Sequence, residues 1–262
     1  MPQIRLDKYL SEMQLGTRSE VKKLIRAGKV QLDGKTCKSP EQKFDPLQAQ
    51  VMADHRLIRY AAYEYFMLNK PKGCVSATED SRYPTVLDYI TDRLRSDLFP
   101  VGRLDLDTEG LLLITNDGAL AHELLSPAKH IPKTYEATID GIVTEEDVRK
   151  FAEGIDIGEK KLTRPAELVV IKSNVISKIQ VTIYEGKFHQ IKRMFGALGH
   201  EVTALSRLTF GALSLPEELP PGQYRELTEE ELAALRQEAG LAGPEEPEQP
   251  EPSEQSERNE NA

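Results

Sequence analysis

Apolar positions at the start of the chain repeat with the period of a helix. Residues spaced i, i+3 and i+4 share one helical face, and this spacing predicts two short helices. The defining positions are Leu6, Tyr9 and Leu10 for the first helix and Val21, Leu24 and Ile25 for the second. We expect the second helix to begin after an N-cap at Ser19 and to stop at Gly28, a residue that favours helix ends.

A hairpin is predicted directly after these helices. Residues 30–35 alternate between apolar and polar side chains, and they contain the pair Asp33-Gly34. This pair suits a two-residue turn between antiparallel strands. Two helices and a hairpin with basic side chains on the outer helix face have the shape of a small RNA-binding domain, expected over residues 1–56. The alternative is a face that is charged only because it meets water.

The pattern from residue 60 to 238 mixes several strands with few helices. The predicted strands cover 65–68, 111–115, 134–139 and 179–183, and the predicted helices cover 144–151 and 228–240. Many strands with few helices favour an α+β fold over a doubly wound sheet. We therefore predict a small N-terminal domain followed by a mixed, mainly antiparallel β-sheet domain with flanking helices.

Charge is distributed unevenly along the 262 residues, whose formal net charge is −9. Residues 244–262 contain seven glutamates and one arginine. Because they have so little apolar surface to bury, we predict a disordered acidic tail. Residues 11–38, by contrast, hold seven basic and three acidic side chains, and residues 186–207 hold four and one. Local charge sets the potential at a binding face, so nucleic acid is not excluded as a partner.

Composition argues against a membrane or disulfide-bonded protein. The longest apolar run has four residues, whereas a membrane-spanning helix needs about 20. The first residues lack the apolar segment of a secretory signal. Cys37 and Cys74 are far apart and form no CxxC pair, so neither a zinc ribbon nor a disulfide scaffold is expected. We expect a soluble, cytoplasmic protein without a metal site.

The first candidate for chemistry is the segment 102–110, in which two glycines enclose an arginine and three carboxylates. Loops held by a rigid strand often carry functional groups. Asp105 and Asp107 resemble the opening of a calcium-binding EF-hand loop. However, position twelve is Asn116 instead of glutamate, and a strand follows where a helix is required. A second alternative is that Asp105 pairs with Arg103 and only fixes the turn.

The second candidate is the segment 185–195, which begins at a strand end and enters a predicted helix. His189, Lys192 and Arg193 stand at i, i+3 and i+4, so a helix would place them in one basic ridge. Such a ridge can bind phosphate, or one of its cations can turn towards a carboxylate. A purely structural histidine is the simpler interpretation of His189.

The third candidate is a Lys-Thr-Tyr segment that ends at Tyr135, on the inward face of a predicted strand. A tyrosine at such a position is ordinarily a core residue. Neither GxxxxGK[ST] nor GxGxxG occurs in the chain, so nucleotide-driven chemistry has no support.

The N-terminal segments resemble a known RNA-binding module. Residues 5–10, 17–25, 28–30 and 33–35 are similar to the αL module first named for ribosomal protein S-four. The resemblance implies that exposed cations bind RNA here. The expected RNA-binding residues are Arg5, Lys8, Arg18, Lys22, Lys23, Arg26 and Lys29.

The three candidate segments, taken together, resemble the RNA pseudouridine synthases in their order and approximate spacing. The matching segments are 102–110, 133–135 and 185–194, with the turn at 69–73 as a fourth. The N-terminal module and the sequence His-Gln-Ile-Lys-Arg-Met are most similar to the small-subunit ribosomal RNA branch of that family. The resemblance implies an enzyme that needs no cofactor and no metal.

The resemblance also implies roles for individual residues. Asp105 matches the essential aspartate of the family, Lys192 matches its basic partner, and Tyr135 matches the tyrosine that stacks on the base. Arg103 matches a position expected to fill the space that the base leaves. Substrate contacts are expected from Arg103, Thr108, His189, Gln190 and Arg193.

The implied function is the isomerisation of one uridine in ribosomal RNA, with 16S RNA of the small subunit as the expected target. Two alternatives stay open at this point. The same reaction could serve 23S large-subunit RNA or transfer RNA, or the chain could be a non-catalytic RNA-binding ribosome assembly factor. The expected partner is ribosomal RNA or a small-subunit assembly particle, and the expected state is a monomer.

Overall fold

A computed structural model describes residues 3–241 of the chain. The tail predicted at 244–262 lies outside the described residues. Two structural units follow one another along the chain, a small N-terminal unit and a larger unit built on one sheet. The predicted α+β architecture is confirmed.

The N-terminal unit packs two helices against short strands around a single apolar core. Its elements are β1 (Ile4–Arg5), α1 (Leu6–Glu12), α2 (Arg18–Arg26), β2 (Val30–Leu32), β3 (Lys35–Cys37), β4 (Lys43–Phe44), β5 (Val51–Ala53) and β6 (Arg56–Leu57). The apolar positions that predicted α1 and α2 are buried or packed against this core. The predicted hairpin is also present, with Asp33 and Gly34 in left-handed conformations at its turn.

The prediction that Ser19 caps α2 was wrong, because the cap is Thr17. The Thr17 side chain accepts a hydrogen bond from the Glu20 N–H, and the Glu20 carboxylate accepts one from the Thr17 N–H. This reciprocal pair needs an acid or amide three residues after the cap. Only Thr17 satisfies that spacing, since the residue three positions after Ser19 is Lys22.

The larger unit is built on a nine-stranded sheet. Its elements are β7 (Tyr65–Lys70), β8 (Phe99–Pro100), β9 (Glu109–Thr115), α3 (Gly118–Leu125), β10 (Lys133–Asp140), α4 (Glu145–Glu153), β11 (Glu167–Lys172), β12 (Ile176–Ile183), α5 (Gln190–Ala197), β13 (Glu201–Phe210), β14 (Leu213–Ser214), β15 (Tyr224–Glu226) and α6 (Glu229–Ala239), with a short 3-10 helix at Val86–Tyr89. The main path of the sheet is β11-β12-β10-β13-β9-β7-β15. Every neighbouring pair is antiparallel except β13 with β9.

Strand β9 is buried on both of its faces. Leu112 and Ile114 belong to one apolar core, which α4 and α5 cover, whereas Leu111 and Leu113 belong to a second core with α3 and α6. Alternate side chains of a strand point to opposite faces, so four consecutive apolar residues serve two cores. This central strand is the rigid element from which the segment 101–108 projects.

The parallel contact between β9 and β13 requires a glycine. Gly110 lies opposite Arg207, with a φ of 104°. A Cβ atom at Gly110 would lie 2.3 Å from the Arg207 carbonyl oxygen, far inside van der Waals contact. Glycine therefore allows the two backbones to approach at the point where the segment 101–108 enters the sheet.

Buried polar contacts join the two units. The Arg95 side chain is 5% exposed, and its guanidinium forms ion pairs with Glu12 at 3.0 Å and Asp97 at 2.7 Å. The Ser96 N–H also donates to the Glu12 carbonyl. On the N-terminal side, Tyr60 stacks on Tyr9, with 5.6 Å between ring centroids. The connecting segment therefore packs on the N-terminal unit before the chain enters the sheet.

Candidate active site

One cavity collects the side chains expected to act in catalysis. Asp105 comes from the loop before β9, Tyr135 from β10, and Lys192 from the first turn of α5. Arg103 and His189 also line the cavity. Residues from three separate segments of the sequence thus face one space of about 90 Å³.

Asp105 and Lys192 form the central contact of this cavity. The Lys192 ammonium nitrogen lies 3.2 Å from a carboxylate oxygen of Asp105, and their side chains are 23% and 27% exposed. Burial alone would lower the pKa of Lys192, but its hydrogen bonds with Asp107 and Asp105 outweigh that effect and raise the pKa above its ordinary value. The carboxylate of Asp105 therefore has a permanent cation beside it.

Asp107, to which the sequence assigned no function, is the second partner of Lys192. The two charged groups are 2.5 Å apart, and the Asp107 side chain is 68% exposed. Its hydrogen bond with Lys192 lowers the pKa of Asp107. Lys192 is thus held between one carboxylate that faces the cavity and another that faces solvent.

His189 stands at the start of α5 in a left-handed conformation, with a φ of 49°. Its Nε2 atom lies 3.6 Å from Asp105, and its ring stacks on Phe188 with 3.8 Å between centroids. The predicted ridge of three cations was therefore wrong, because the helix begins one residue after His189. Arg193 turns away, towards Glu159 at 2.9 Å and the carbonyl oxygens of Ile157 and Phe188.

Gln190 and Thr108 are buried and contact the protein itself. The Gln190 side chain accepts a hydrogen bond from the Lys187 N–H at 2.9 Å and donates one to Glu185 at 3.0 Å. The Thr108 N–H donates to the Asp105 carbonyl at 3.1 Å. The Thr108 hydroxyl is buried and has no hydrogen-bond partner among the described residues. Both residues line the cavity and fix the segments that carry His189 and Asp105.

Lys70 is a buried cation beside the cavity, and nothing in the sequence indicated its contacts. It is fully buried, and its ammonium donates to the carbonyl oxygens of Asp105 at 2.9 Å, Thr108 at 2.9 Å and Pro71 at 3.1 Å. Burial lowers the pKa of Lys70. The segment 69–73 was predicted as a turn, but β7 extends through Lys70. Two of these acceptors lie in a distant loop and all three are backbone groups, so the contacts leave no local pattern in sequence.

The predicted RNA-binding cations lie on the N-terminal unit, and most of them are exposed. Four of the seven have acidic neighbours, in the pairs Arg5–Asp7, Lys22–Asp7, Lys8–Glu12 and Lys29–Asp54. Within the described part of the chain, the other three form no ion pair: Arg18, Lys23 and Arg26. Of the seven predicted residues, these three therefore have the charges without an acidic partner.

Residues 3–241 contain neither a cluster of metal-binding side chains nor a helix that could span a membrane. No three His, Cys, Asp or Glu side chains converge there as they would around a metal ion. Every helix in this range is too short or too polar to cross a membrane.

Two family models match the chain. Residues 64–197 match the RNA pseudouridylate synthase model, and residues 4–46 match the S4 domain model. The fold, the paired carboxylate and lysine, and these matches define an RNA-modifying enzyme with an N-terminal S4 domain.

Known proteins are similar in sequence to most of this chain. An uncharacterized RNA pseudouridine synthase of Bacillus subtilis, YtzG, is 47% identical over 89% of this chain and 99% of its own length. The ribosomal small subunit pseudouridine synthase A of Escherichia coli is 40% identical over 88% of this chain and 100% of its own. A crystal structure of a pseudouridylate synthase is 39% identical, with a TM-score of 0.63, and covers 88% of this chain and 99% of that one. The chain belongs to the RNA pseudouridylate synthase family, and the resemblance identified from the sequence is confirmed.

Proposed function

We propose that the protein isomerises a specific uridine to pseudouridine in 16S ribosomal RNA of the small subunit, with Asp105 as the catalytic carboxylate. Relatives named for the small subunit, at 40–42% identity over 88% of the chain, support the choice of RNA. The contact of Asp105 with Lys192 beside Tyr135 supports the choice of residue.

In the proposed reaction the bond between N1 of uracil and C1′ of ribose breaks, and a bond between C5 and C1′ forms. Asp105 acts at the ribose, either as nucleophile or by assisting departure of the base. Lys192 stabilises the ionised carboxylate, and Tyr135 stacks on the base and assists loss of the C5 proton, while N1 gains a proton. Because the rearrangement is neither a redox step nor a transfer from a donor, we propose that no cofactor or metal takes part.

The target uridine must leave its stack to reach this cavity. Arg103, whose side chain is exposed, is proposed to fill the space that the base vacates. His189 is proposed to contact the substrate directly. Thr108, Gln190 and Arg193 are proposed to act mainly by holding the segments around the substrate, since Gln190 and Arg193 bind protein groups.

The division of labour between the two units is part of the proposal. Residues 1–56 supply backbone affinity for RNA, largely independent of sequence, and residues 60–238 carry the chemistry. We propose that a monomer acts on ribosomal RNA, free or in a small-subunit assembly particle, in the cytoplasm.

The test is a pseudouridine map of unmodified small-subunit transcript and particles after incubation with wild type, Asp105→Asn or Asp107→Asn. We expect one new pseudouridine with wild type, none with Asp105→Asn at unchanged RNA affinity, and product with Asp107→Asn, a matched change on the solvent side of Lys192. Product only on large-subunit or transfer RNA would contradict the target. Binding without product on any RNA would favour an assembly factor.

A further inference from the structure

The catalytic cavity opens into a second, larger space of about 900 Å³. Asp105 and Tyr135 line this space. Two cations and an aromatic ring also line it, namely Lys133 from the first position of β10 and Arg207 and Phe210 from β13. The volume is within the range of about 300–1,000 Å³ that is common for ligand pockets.

A β-bulge brings Arg207 and Phe210 into the same space. In a regular strand, residues three apart point to opposite faces. The register between β10 and β13 shifts between Thr134 and Tyr135, so Phe210 lies opposite Lys133 and Arg207 lies opposite Tyr135. Bulges often redirect side chains beside active sites. The irregularity therefore lets Arg207 and Phe210 line the same space.

The two cations lie close to one ring. The Lys133 ammonium is 5.3 Å from the centroid of Phe210, and the guanidinium carbon of Arg207 is 5.0 Å from it. Among the described residues neither cation forms an ion pair, and the buried Nη2 atom of Arg207 has no hydrogen-bond partner. Burial, reinforced by the charge of Arg207, lowers the pKa of Lys133 to about 8. Two neighbouring positive charges thus lie in this space without an ion-pair partner among the described residues.

Glu238 is an acidic group that attracts Lys133 electrostatically, but the structure shows no ion pair between the two described side chains. The Glu238 carboxylate accepts a hydrogen bond from the Ala212 N–H at 2.7 Å. Lys133 itself donates to the Ile131 carbonyl at 2.7 Å, and an ammonium has two further donors. An anion that entered the cavity would therefore find a free donor in a positive field.

We propose that Lys133 and Arg207 form a subsite for a backbone phosphate of the RNA, next to the uridine held at Asp105 and Tyr135. This inference rests on the proposed function. Lys133 is two residues from Tyr135 on the same strand, and side chains with that spacing share a face. A base stacked on Tyr135 and a phosphate on Lys133 would be joined through one ribose. Lys133 donates directly to the phosphate, and Arg207 strengthens the field from behind.

The test is a double-mutant cycle that combines a substitution at Lys133 with the removal of charge from single RNA phosphates. In a fragment that contains the target uridine, each flanking phosphate is replaced in turn by a neutral methylphosphonate. KM, kcat and Kd are then measured for wild type and Lys133→Gln. Because a hydrogen bond between charged groups is lost, we expect Lys133→Gln to raise KM and Kd about 10-fold, with kcat changed less than about 3-fold.

The decisive result is the affinity of Lys133→Gln for the methylphosphonate RNAs. We expect one of the two methylphosphonates to weaken binding to wild type by a similar factor and to weaken binding to Lys133→Gln no further. If the loss of affinity from Lys133→Gln and the loss from the methylphosphonate multiplied at both phosphates, the proposed subsite would be overturned. If wild type forms no pseudouridine, the proposed function fails. The same cycle on Kd, with methylphosphonates placed along the tightest-binding RNA, then decides the subsite alone.

Lys133→Arg supplies the matched control, and it changes the pH dependence. The lysine is charged below its pKa of about 8, so wild-type affinity for RNA should fall as the pH rises through 8. Arginine keeps its charge over this range, and the affinity of Lys133→Arg should stay level. Equal pH profiles for the two proteins would contradict a contact between Lys133 and phosphate.

Discussion

Three cations of the N-terminal unit and two of the larger unit are held in opposite ways. In the N-terminal unit, Arg18, Lys23 and Arg26 are exposed and form no ion pair with a described residue. In the larger unit, Lys192 is fixed between two carboxylates and Lys70 is buried against three carbonyl oxygens. Free surface charges suit a long phosphate backbone, whereas fixed charges suit one reacting group.

This contrast predicts different kinds of loss when charges are removed. Changes at Asp105 or Lys192 should alter the rate of chemistry and leave affinity nearly intact. Changes on the N-terminal unit should reduce affinity in graded steps that depend on salt, because each phosphate contact releases counterions.

The largest effect is expected from Lys192→Gln. Without the cation beside Asp105, the carboxylate loses its main electrostatic support, and kcat should fall by about 10²–10³-fold. The measurement is single-turnover formation of pseudouridine at saturating enzyme. Lys150→Gln, an exposed lysine on α4, is the matched control and should keep the wild-type rate. A loss that appeared only in KM would contradict a catalytic role for Lys192.

Removal of residues 1–59 should give the next largest effect. We expect Kd for RNA to rise by about 10–100-fold, since several phosphate contacts are lost together. The rate on saturating RNA should change much less than Kd does. Because the deletion also removes Glu12, the partner of the buried Arg95, thermal unfolding must be measured in parallel. A truncated protein that binds RNA as tightly as the full chain would refute the role of this unit.

A smaller loss is expected when only the unpaired cations are neutralised. In the triple variant Arg18→Gln, Lys23→Gln, Arg26→Gln, the slope of log Kd against log salt should decrease by about three, because each lost phosphate contact lowers it by about one. The paired variant Lys8→Gln, Lys29→Gln is the comparison. Its side chains are similarly exposed but have acidic partners, so we expect a smaller change. Equal effects per charge would remove the distinction between paired and unpaired cations.

The smallest effect concerns the start of α2. Thr17→Ala removes the cap and should destabilise the N-terminal unit by about 1 kcal/mol. Ser19→Ala, at the second residue of α2, should change stability by much less. Urea unfolding followed by a probe in this unit distinguishes the two. A larger loss for Ser19→Ala would contradict the assignment of Thr17 as the cap.

Sequence patterns predicted the elements well where their cause is local. The helix period around Val21 and the Asp33-Gly34 turn depend on neighbouring residues, and both were confirmed. The apolar run 111–114 predicted a buried strand, although not that its two faces serve different cores. The cap of α2 was misplaced because serine and threonine are both good caps and only the position of Glu20 decides between them.

The site was predictable only in part, for a physical reason. The meeting of Asp105 and Lys192 came from the resemblance, because residues 87 positions apart carry no local signal of contact. Lys70 escaped notice because its partners are backbone oxygens, which every residue possesses. The cations Lys133 and Arg207 come together through a shift in strand register, a property of the pairing that neither strand reveals alone.

The buried ammonium of Lys70 has a consequence for the thermodynamics of substrate capture. It ties the carbonyl groups of Asp105 and Thr108 to β7 before any RNA arrives. The conformational entropy of this loop is therefore lost when the chain folds. Its ordering makes no unfavourable contribution to the free energy of RNA binding, and Asp105, the proposed catalytic carboxylate, is in position before RNA binds.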